Sequence, residues 1–501
     1  MQKKQVITVL ASAGLLLLSA QMGRAADLLQ VYNQAVNSDP VFKQARANYE
    51  VEQQNVPLSL AVMLPNLGLQ LSDTYANNYT KTLNATSSGL QATGASNIKN
   101  ISNTTGFALT LNQSIFNYTY WENLRSAKAG VKSAFATYTA AIQDLIQRTS
   151  QAYFDILDKR ASLIYTEAEE RAYYQQYTQA LESYRVGVKT LTDVDQAKAS
   201  YDSAKASVVS AKNDLMDARE NLRVITGVYY KHISTLKRLP LVIPAPKNIN
   251  SWTQITEKHN WQIVSSKYNL FAAHYNILSA EGGHLPTVDL QSTYTNSYQH
   301  YINTTGHVRT YDLNGELSLN MPIYQGGQVD AQVNQNIAQY RLAAAQLEST
   351  YRDVMNTTRQ SYLGVDSGIS KIRADYQAII SNRSSVKGTE EGYKVGTQTM
   401  LNVLQAEQNL YQALQTYSND RYAYILSLIN LKESAGTLSI NDVKAINQWL
   451  IATAPSQANY APSPPKSSAL SKTLAAGTPP GNVGRYSKDA VKLNQKLSSG
   501  S

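Results

Sequence analysis

Apolar and polar residues alternate along four short segments of the chain, two in each half. In the first segment, leucine stands at every second position from Leu67 to Leu71, with polar or small residues between. Such alternation predicts strands that have one apolar and one polar face. The segments are residues 66–75, 107–116, 288–298 and 313–323. We expect residues from about 77–105 and 299–312 to form exposed loops, because they are rich in Asn, Thr and Gly.

Helical periodicity dominates much of the remaining chain. Residues 121–186 and 328–395 contain no proline, and a continuous helix of that length would extend about 100 Å. Each stretch is followed by a segment with apolar or Tyr residues at every third or fourth position, residues 194–225 and 403–431. Sustained spacing of this kind is typical of coiled coils.

A shorter helical segment precedes the first strand of each half, at about residues 28–54 and 252–280. A very long helix needs apolar partners along its whole length. We therefore predict that each long helix packs beside two shorter helices placed end to end, one from this pair and one from the coiled-coil pair.

The chain repeats itself after about 209 positions. The phrase "YRVGVKTLTDV" at 184–194 matches "YKVGTQTMLNV" at 393–403, and "LTLNQSIF" at 109–116 matches "LSLNMPIY" at 317–324. Repeats of this length are duplicated domains rather than solenoid units. We predict a first structural repeat, a proline-rich linker and a second structural repeat at residues 26–237, 238–250 and 251–450.

The two ends of the chain differ from the repeats. Residues 1–25 begin with lysines, continue with a short apolar run and end in small residues, which predicts a secretory signal peptide. Residues 451–501 are rich in Pro, Ser and Gly and hold six basic residues against one acid, which predicts a disordered, basic, periplasmic tail. No other segment approaches the run of about 18 apolar residues that indicates a transmembrane helix.

Composition adds constraints on function. The formal charge of +9 lies at the chain ends, since residues 26–450 hold 36 basic and 35 acidic residues. A nearly neutral body argues against nucleic acid binding. The chain has no cysteine, so we expect neither disulfides nor thiolate chemistry. Charged residues make up only 16%, and 34 tyrosines stand against 6 phenylalanines, which suits a surface exposed to both water and lipid.

Four strands with one apolar face cannot close a membrane barrel alone. The smallest such barrels need about eight strands, and an open edge in lipid leaves backbone groups unpaired. Two arrangements remain: a soluble α+β protein whose sheet packs under helices, or several chains that each give four strands to a shared barrel. A coiled-coil surface or adhesion protein without a pore is an alternative function.

Several motifs resemble those of the TolC family of outer-membrane efflux and secretion channels. They are "LLQVYNQAVNSDP" (28–40), "QSIFNYTYW" (113–121), "GHLPTVDL" (283–290), "PIYQGGQV" (322–329) and the two Val-Gly turns. The resemblance covers about residues 27–450. It implies an α+β fold in which a homotrimer forms one outer-membrane β-barrel, with four strands from each chain and twelve in total. The barrel continues into a long periplasmic α-helical coiled-coil tunnel that is closed at its tip.

The resemblance also implies a function. Channels of this family are passive exit ducts of tripartite efflux pumps or type I secretion systems, and they export drugs, toxins or proteins. The expected partners are a periplasmic membrane-fusion adaptor, an inner-membrane pump of the RND, ABC or MFS type, and outer-membrane lipid. We expect no cofactor, no metal ion and no nucleic acid partner. Since no Ser-His-Asp, HExxH or P-loop pattern has supporting context, we do not expect an enzyme.

The duplicated phrase supplies the candidate site. Gly187 and Gly396 follow the long helices and suit the left-handed conformation that ends a helix. Asp193 and Asn402 precede the next helices, and each is followed three residues later by Gln, which resembles a capping box. A second possible box, Thr192 with Asp195, overlaps the first. From the residues alone, the main role of these polar side chains is to start helices.

The family resemblance adds a second role, because such turns form the pore constriction. The family has acids at the positions of Asn402 and Gln405 and often Arg at Gln398, so we expect this tip to select cations less strongly. We expect it to close through hydrogen bonds among Tyr393, Thr192, Asp193 and Gln398. The candidate constriction residues are Thr192, Asp193, Asp195, Tyr393, Gln398, Asn402 and Gln405. The candidate adaptor contacts are Gly187, Val188, Gly396 and Thr397.

Aromatic residues near the strand ends are candidates for girdles at the membrane interface, with ordinary strand packing as the alternative. They are Tyr75, Tyr79, Phe116, Tyr294, Tyr298 and Tyr301. His300 and His307 lie in a predicted external loop, where we do not expect a metal site.

Overall fold

The computed structural model describes residues 25–83, 95–237, 239–302 and 306–451. The predicted signal peptide, up to residue 24, and the predicted basic tail, from residue 452, lie outside the described residues.

Both halves of the chain contain short helices, two long strands, one very long helix and one helix of intermediate length. The first half contains α1 (Leu28–Ser38), α2 (Pro40–Gln53), α3 (Asn55–Ala61), β1 (Asn66–Leu83), β2 (Ala95–Phe116), α4 (Tyr118–Arg185), α5 (Leu191–Thr226) and β3 (Thr235–Leu236). The second half contains α6 (Ile249–His259), α7 (Trp261–Glu281), β4 (Thr287–Tyr301), β5 (Gly306–Asn320), α8 (Gln328–Lys394), α9 (Met400–Ser434), α10 (Ile440–Asn447) and β6 (Leu450–Ile451).

The predicted long helices are confirmed as α4, with 68 residues, and α8, with 67 residues. The absence of proline lets each backbone hydrogen-bond ladder continue without a break. Among the described residues, no helix is both long enough and apolar enough to cross a membrane.

The shorter helices predicted before the strands are interrupted. Pro40 begins α2 after α1 has ended at Ser38, because proline lacks the N–H that a helix interior needs but is tolerated in the first turn. In the second half, Asn260 separates α6 from α7, and its side-chain amide donates to the backbone oxygen of Ser434 at 2.8 Å. The prediction of one continuous helix in each place is therefore wrong.

The four long strands form one antiparallel sheet in the order β1-β2-β4-β5. Most residues expected to form loops, at 77–105 and 299–312, instead extend these strands, so that prediction is wrong for them. Residues 84–94 and 303–305 lie outside the described residues. The strands extend because backbone pairing does not depend on apolar side chains, and threonine pairs well across strands, as Thr74 does with another threonine.

β5 ends earlier than predicted, at Asn320. The cause lies in the sequence that follows, because Pro322 has no N–H to donate to a sheet ladder. Met321 and Ile323, which were expected to continue the apolar face, therefore lie beyond the strand.

Cross-strand pairing places the leucines of the sheet on one face. Leu67 lies opposite Leu111, and Leu290 lies opposite Leu317. The leucines at the predicted apolar positions of β1 and β5 are 63–76% exposed. An apolar face of this kind requires a cover of lipid or protein, because its exposure to water is unfavourable.

The described residues divide into two compact units. The first unit consists of the described residues within 25–43, 141–260 and 354–451, and the second of the described residues within 44–140 and 261–353. Each unit combines residues from both halves of the sequence. The compact units therefore differ from the two structural repeats, whose boundaries stay a prediction.

Each unit has its own interior. In the second unit, which holds the sheet, Tyr49 stacks on Tyr138 with ring centroids 5.5 Å apart. In the first unit, the buried Tyr153 hydroxyl donates to the backbone oxygen of Ser234 at 2.8 Å. The first unit also contains both turns that carry the duplicated phrase.

Candidate functional site

The two interhelical turns have the same backbone conformation. Gly187 and Gly396 have φ angles of 77° and 83°, in the left-handed region that favours glycine. In each turn the residue after the glycine donates its N–H back to a carbonyl of the long helix, at 2.9 Å in the first turn and 2.8 Å in the second. The prediction that these glycines end the long helices is therefore confirmed.

The helices after the turns begin earlier than predicted. Thr190 and Thr399 are their N-cap residues, and the Oγ1 of each accepts a hydrogen bond from the N–H three residues later, at 3.3 Å. Asp193 Oδ2 accepts from the Thr190 N–H in return, which completes a capping box. The prediction that Asp193 and Asn402 are the caps is wrong, because the preceding threonines have the extended backbone that an N-cap requires.

The amides of the second turn bond locally. Asn402 Nδ2 donates to Gln398 Oε1 at 2.6 Å. Gln405 Nε2 donates to Gln408 Oε1 at 3.1 Å and to Asn409 Oδ1 at 3.2 Å. The predicted capping box between Asn402 and Gln405 is therefore wrong, and Asn402 faces its own turn rather than the cap residue.

Both turns pack on one apolar cluster, which we call the tip core. Its residues come from all four helices that meet the turns. Its buried members are Tyr173, Ala180, Val194, Ala197, Ala204, Tyr393, Met400, Val403 and Leu404. The apolar 3-4 spacing of α5 and α9 therefore serves, at this end, to join the two hairpins of one chain.

Lys189 connects the first turn to the second. Its Nζ lies 3.8 Å from the centroid of the Tyr393 ring and donates to the Tyr393 backbone oxygen at 3.3 Å. Tyr393 is only 5% exposed, and Lys189 is half-buried although its chain neighbours are exposed. Sequence reasoning missed this residue, yet a signal was present, because Lys189 occupies the same place in its phrase as Gln398 does in the second.

The hydrogen bonds expected among the candidate closing residues take a different form. Asp193 bonds to Thr190 and Gln398 bonds to Asn402, each within its own turn. The Tyr393 hydroxyl is buried and has no hydrogen-bond partner among the described residues. Burial, and then the negative charge of Asp193, raise the pKa of this hydroxyl.

Further polar links join the two hairpins within and beside the tip core. Gln176 Nε2 donates to Glu407 Oε1 at 3.1 Å, and the Tyr173 hydroxyl donates to the Leu404 backbone oxygen at 3.3 Å. Glu407 is only 5% exposed. Burial raises the pKa of the Glu407 carboxyl to about 7, the charges of Glu390 and Glu169 act in the same direction, and the bond from Gln176 opposes them.

The outer surface of the turns is apolar beside the glycines. Val186 and Val188 are 72% and 70% exposed in the first turn, and Val395 is 75% exposed in the second. Thr192 and Asp195 are exposed on α5. Within the described ranges, no group of three or more His, Cys, Asp or Glu residues is placed to hold a metal ion.

A sheet with an exposed apolar face and paired hairpins of very long helices define the class of outer-membrane efflux channels. Residues 31–228 and 252–437 match the family described as outer membrane efflux protein. The chain belongs to this family.

The chain is similar in sequence to named outer-membrane proteins and in fold to a solved structure. The chain is 35% identical over 476 residues to outer membrane protein TolC of Escherichia coli strain K12, a match that covers 92% of each chain. It is 30% identical over 453 residues to outer membrane protein TolC of Vibrio cholerae serotype O1, covering 89% of this chain and 99% of the relative. Its fold is similar to the crystal structure of the outer membrane protein VceC from Vibrio cholerae, with a TM-score of 0.67 at 19% identity, covering 82% and 96% of the two chains.

These matches confirm the expectations for fold class, location and general function. The fold is that of trimeric channels whose outer-membrane barrel continues into a helical tunnel. The protein is an outer-membrane exit duct with a periplasmic part. Family and fold are those of channel proteins, which favours the duct over a surface or adhesion protein without a pore.

Proposed function

We propose that three copies of this chain form the exit duct of a tripartite efflux pump or a type I secretion system, and that the two turns of each chain close its periplasmic tip. The tip core carries this proposal, because it joins both turns of one chain in a single buried cluster. A close-packed cluster transmits the displacement of one turn to the other. Both hairpins of a chain therefore open and close together.

The constriction is assigned to polar side chains of both turns. Thr192 and Asp195 are exposed on α5, and Asn402 and Gln405 are exposed on α9. Together with Asp193, they give the tip carboxylates from the first repeat and amides from the second. Ions that enter the duct therefore meet carboxylates from only one of the two turns of each chain. Gln398 completes the constriction set, and Tyr393 supports it from the tip core, where it is only 5% exposed.

The adaptor contact is assigned to the backbone of the turns, at Gly187, Val188, Gly396 and Thr397. Exposed valines lie beside both glycines, and apolar side chains at a helical tip gain free energy when a partner covers them. The partner in this proposal is a periplasmic membrane-fusion adaptor that joins the duct to an inner-membrane pump of the RND, ABC or MFS type.

Purified full-length protein in a planar lipid bilayer tests the duct. We expect discrete conductance steps, three cross-linked chains in detergent and recovery of the protein from the outer-membrane fraction. Protein that reaches the outer membrane and forms trimers, but gives no conductance steps at any voltage, would overturn the proposal.

A further inference from the structure

Among the described residues, the Lys189 ammonium has two contacts with one residue of the opposite hairpin. One is with the face of the Tyr393 ring, at 3.8 Å from its centroid, and the other is the hydrogen bond to the Tyr393 backbone oxygen, at 3.3 Å. A cation over an aromatic face is attracted by the ring quadrupole, and more strongly when both are partly desolvated. The contact therefore adds a directional link to the non-directional packing of the tip core.

In the part of the chain that the structure describes, the second hairpin has no equivalent link in the reverse direction. Gln398 stands where the repeat places Lys189, and its side chain accepts a hydrogen bond from Asn402 in its own turn. Tyr184 stands where the repeat places Tyr393, and it is 43% exposed, whereas Tyr393 is 5% exposed. The link between the turns is therefore one-sided, with the cation in the first repeat and the ring in the second.

The Tyr393 hydroxyl does not take part in this link. It is buried without a hydrogen-bond partner among the described residues. The ring face and the backbone carbonyl are the groups that Lys189 contacts. A phenylalanine at this position would keep both of them, whereas an aliphatic side chain would lose the ring.

We propose that Lys189 is the latch of the periplasmic tip, a positioning residue that holds the two turns of each chain together until its ammonium leaves the Tyr393 ring. The proposal rests on the proposed gate function of the turns. The latch uses a charge and an aromatic face, so it holds without a hydrogen bond from the tyrosine hydroxyl. Opening requires the ammonium to exchange the ring and the carbonyl for water or for a group on an incoming partner.

Single-channel recording on purified full-length trimers tests the latch. We expect Lys189→Met to raise the open fraction about tenfold, the ratio that corresponds to about 1.4 kcal/mol for a partly desolvated cation–ring contact. Lys189→Arg should keep the open fraction close to that of the wild type, because guanidinium also binds aromatic faces. Lys198→Met is the matched control, since Lys198 is an exposed lysine on α5, and it should leave the open fraction unchanged.

Two variants of Tyr393 distinguish the contact between Lys189 and the ring from two other ways of holding the tip closed. These are a hydrogen bond from the tyrosine hydroxyl and apolar packing. We expect Tyr393→Phe to stay closed and Tyr393→Leu to open. In a double-mutant cycle, Lys189→Met should add little to Tyr393→Leu, because the contact is already absent. Opening by Tyr393→Phe, a closed Lys189→Met channel, or fully additive effects would each overturn the latch.

The failure of the latch is distinguishable from the failure of the gate. Wild-type trimers that conduct at a constant, fully open level would contradict the gate itself. Wild-type trimers that are mostly closed but open in discrete steps, together with Lys189→Met trimers of the same open fraction, contradict only the latch. Trimer content on a native gel shows that each variant has assembled before it is recorded.

Discussion

The first and second interhelical turns have the same backbone and different chemistry. Both use a glycine at positive φ and a threonine cap. In the first turn, Asp193 closes a capping box and Lys189 contacts the other hairpin. In the second, Asn402 and Gln398 bond to each other. The first turn therefore contacts its neighbour, whereas the second satisfies its polar groups internally.

The difference shows which properties duplication preserves. A positive φ can be adopted without strain only by glycine, and an N-cap needs a short side chain with an oxygen acceptor, so both repeats keep them. Side chains that contact the other repeat have no such constraint, because their partners differ. The same contrast continues along the helices: Lys198 is exposed on α5, while Glu407, 209 positions later, is buried on α9.

The largest effect should come from breaking what the turns share. We expect Gly187→Leu and Gly396→Leu each to abolish export, because a bulky residue at positive φ is strained and covers the assigned adaptor contact. Drug susceptibility of cells that depend on this channel measures export. Gly388→Leu is the control, since Gly388 lies in α8 with open space beside it. Loss of the trimer in either turn variant would indicate a folding role instead.

The buried acid of the second repeat should make stability depend on pH. Between pH 4.5, its ordinary pKa, and about 7, Glu407 is protonated in the folded protein and ionised in the unfolded chain. Stability is therefore lost as pH rises through this range. We expect Glu407→Gln to stabilise the protein by about 3 kcal/mol at pH 8 and to have little effect at pH 4.

Thermal unfolding in detergent at both pH values measures this effect. Lys198→Gln alters the equivalent residue of the first repeat, which is exposed, and should change little at either pH. A stabilisation by Glu407→Gln that is as large at pH 4 as at pH 8 would contradict the ionisation argument and indicate better packing.

Exchanging the link between the turns tests whether the asymmetry belongs to the fold. We expect the open fraction of the double variant Lys189→Gln with Gln398→Lys to equal that of Lys189→Gln alone. Both should be about tenfold higher than the open fraction of the wild type. By the correspondence of the repeats, the ring expected to meet the new lysine is that of Tyr184, which is exposed and therefore offers a weaker, hydrated contact. Closed channels in the double variant would mean that either turn can carry the latch.

The caps should differ in strength. We expect Thr190→Ala to destabilise the start of α5 by about 1–2 kcal/mol, because it removes a reciprocal box, and Thr399→Ala to destabilise the start of α9 by about 0.5–1 kcal/mol. Amide hydrogen exchange in the first turn of each helix measures the two effects. Equal loss of protection would show that the Asp193 carboxylate adds nothing to the cap.

The smallest effect should be on ion block. We expect millimolar divalent cations to block the wild-type channel weakly. The block should become several-fold stronger in Asn402→Asp and Gln405→Asp, which add carboxylates. It should become weaker in Asp193→Ala and Asp195→Ala, which remove them. Single-channel titration measures each. Strong wild-type block that persists in both alanine variants would contradict the assignment of the constriction.

The fold was largely predictable where one physical rule dominates. The two stretches without proline predicted the ends of both long helices to within three residues. The strands were underestimated because the apolar alternation stops where residues at the far ends of the strands become polar, while backbone pairing continues. No sequence period records that continuation.

The candidate site was predictable in its backbone and less so in its contacts. Glycine and a polar residue before a helical pattern indicated both turns. The caps were placed too late because Thr190 and Asp193 are both good capping residues, and only the extended backbone at Thr190 decides between them. Lys189 was missed because its partner lies on the other repeat, at a distance in sequence that no local rule spans.

The strand order of the sheet has a consequence for assembly. β1 and β5 are its two edges, and they run in opposite directions because every pair between them is antiparallel. When β5 of one chain meets β1 of the next, the alternation continues, so a ring closes without a parallel seam. The same seam recurs between each pair of chains. A single proline at an edge position that donates a backbone N–H would therefore weaken every seam of the ring at once.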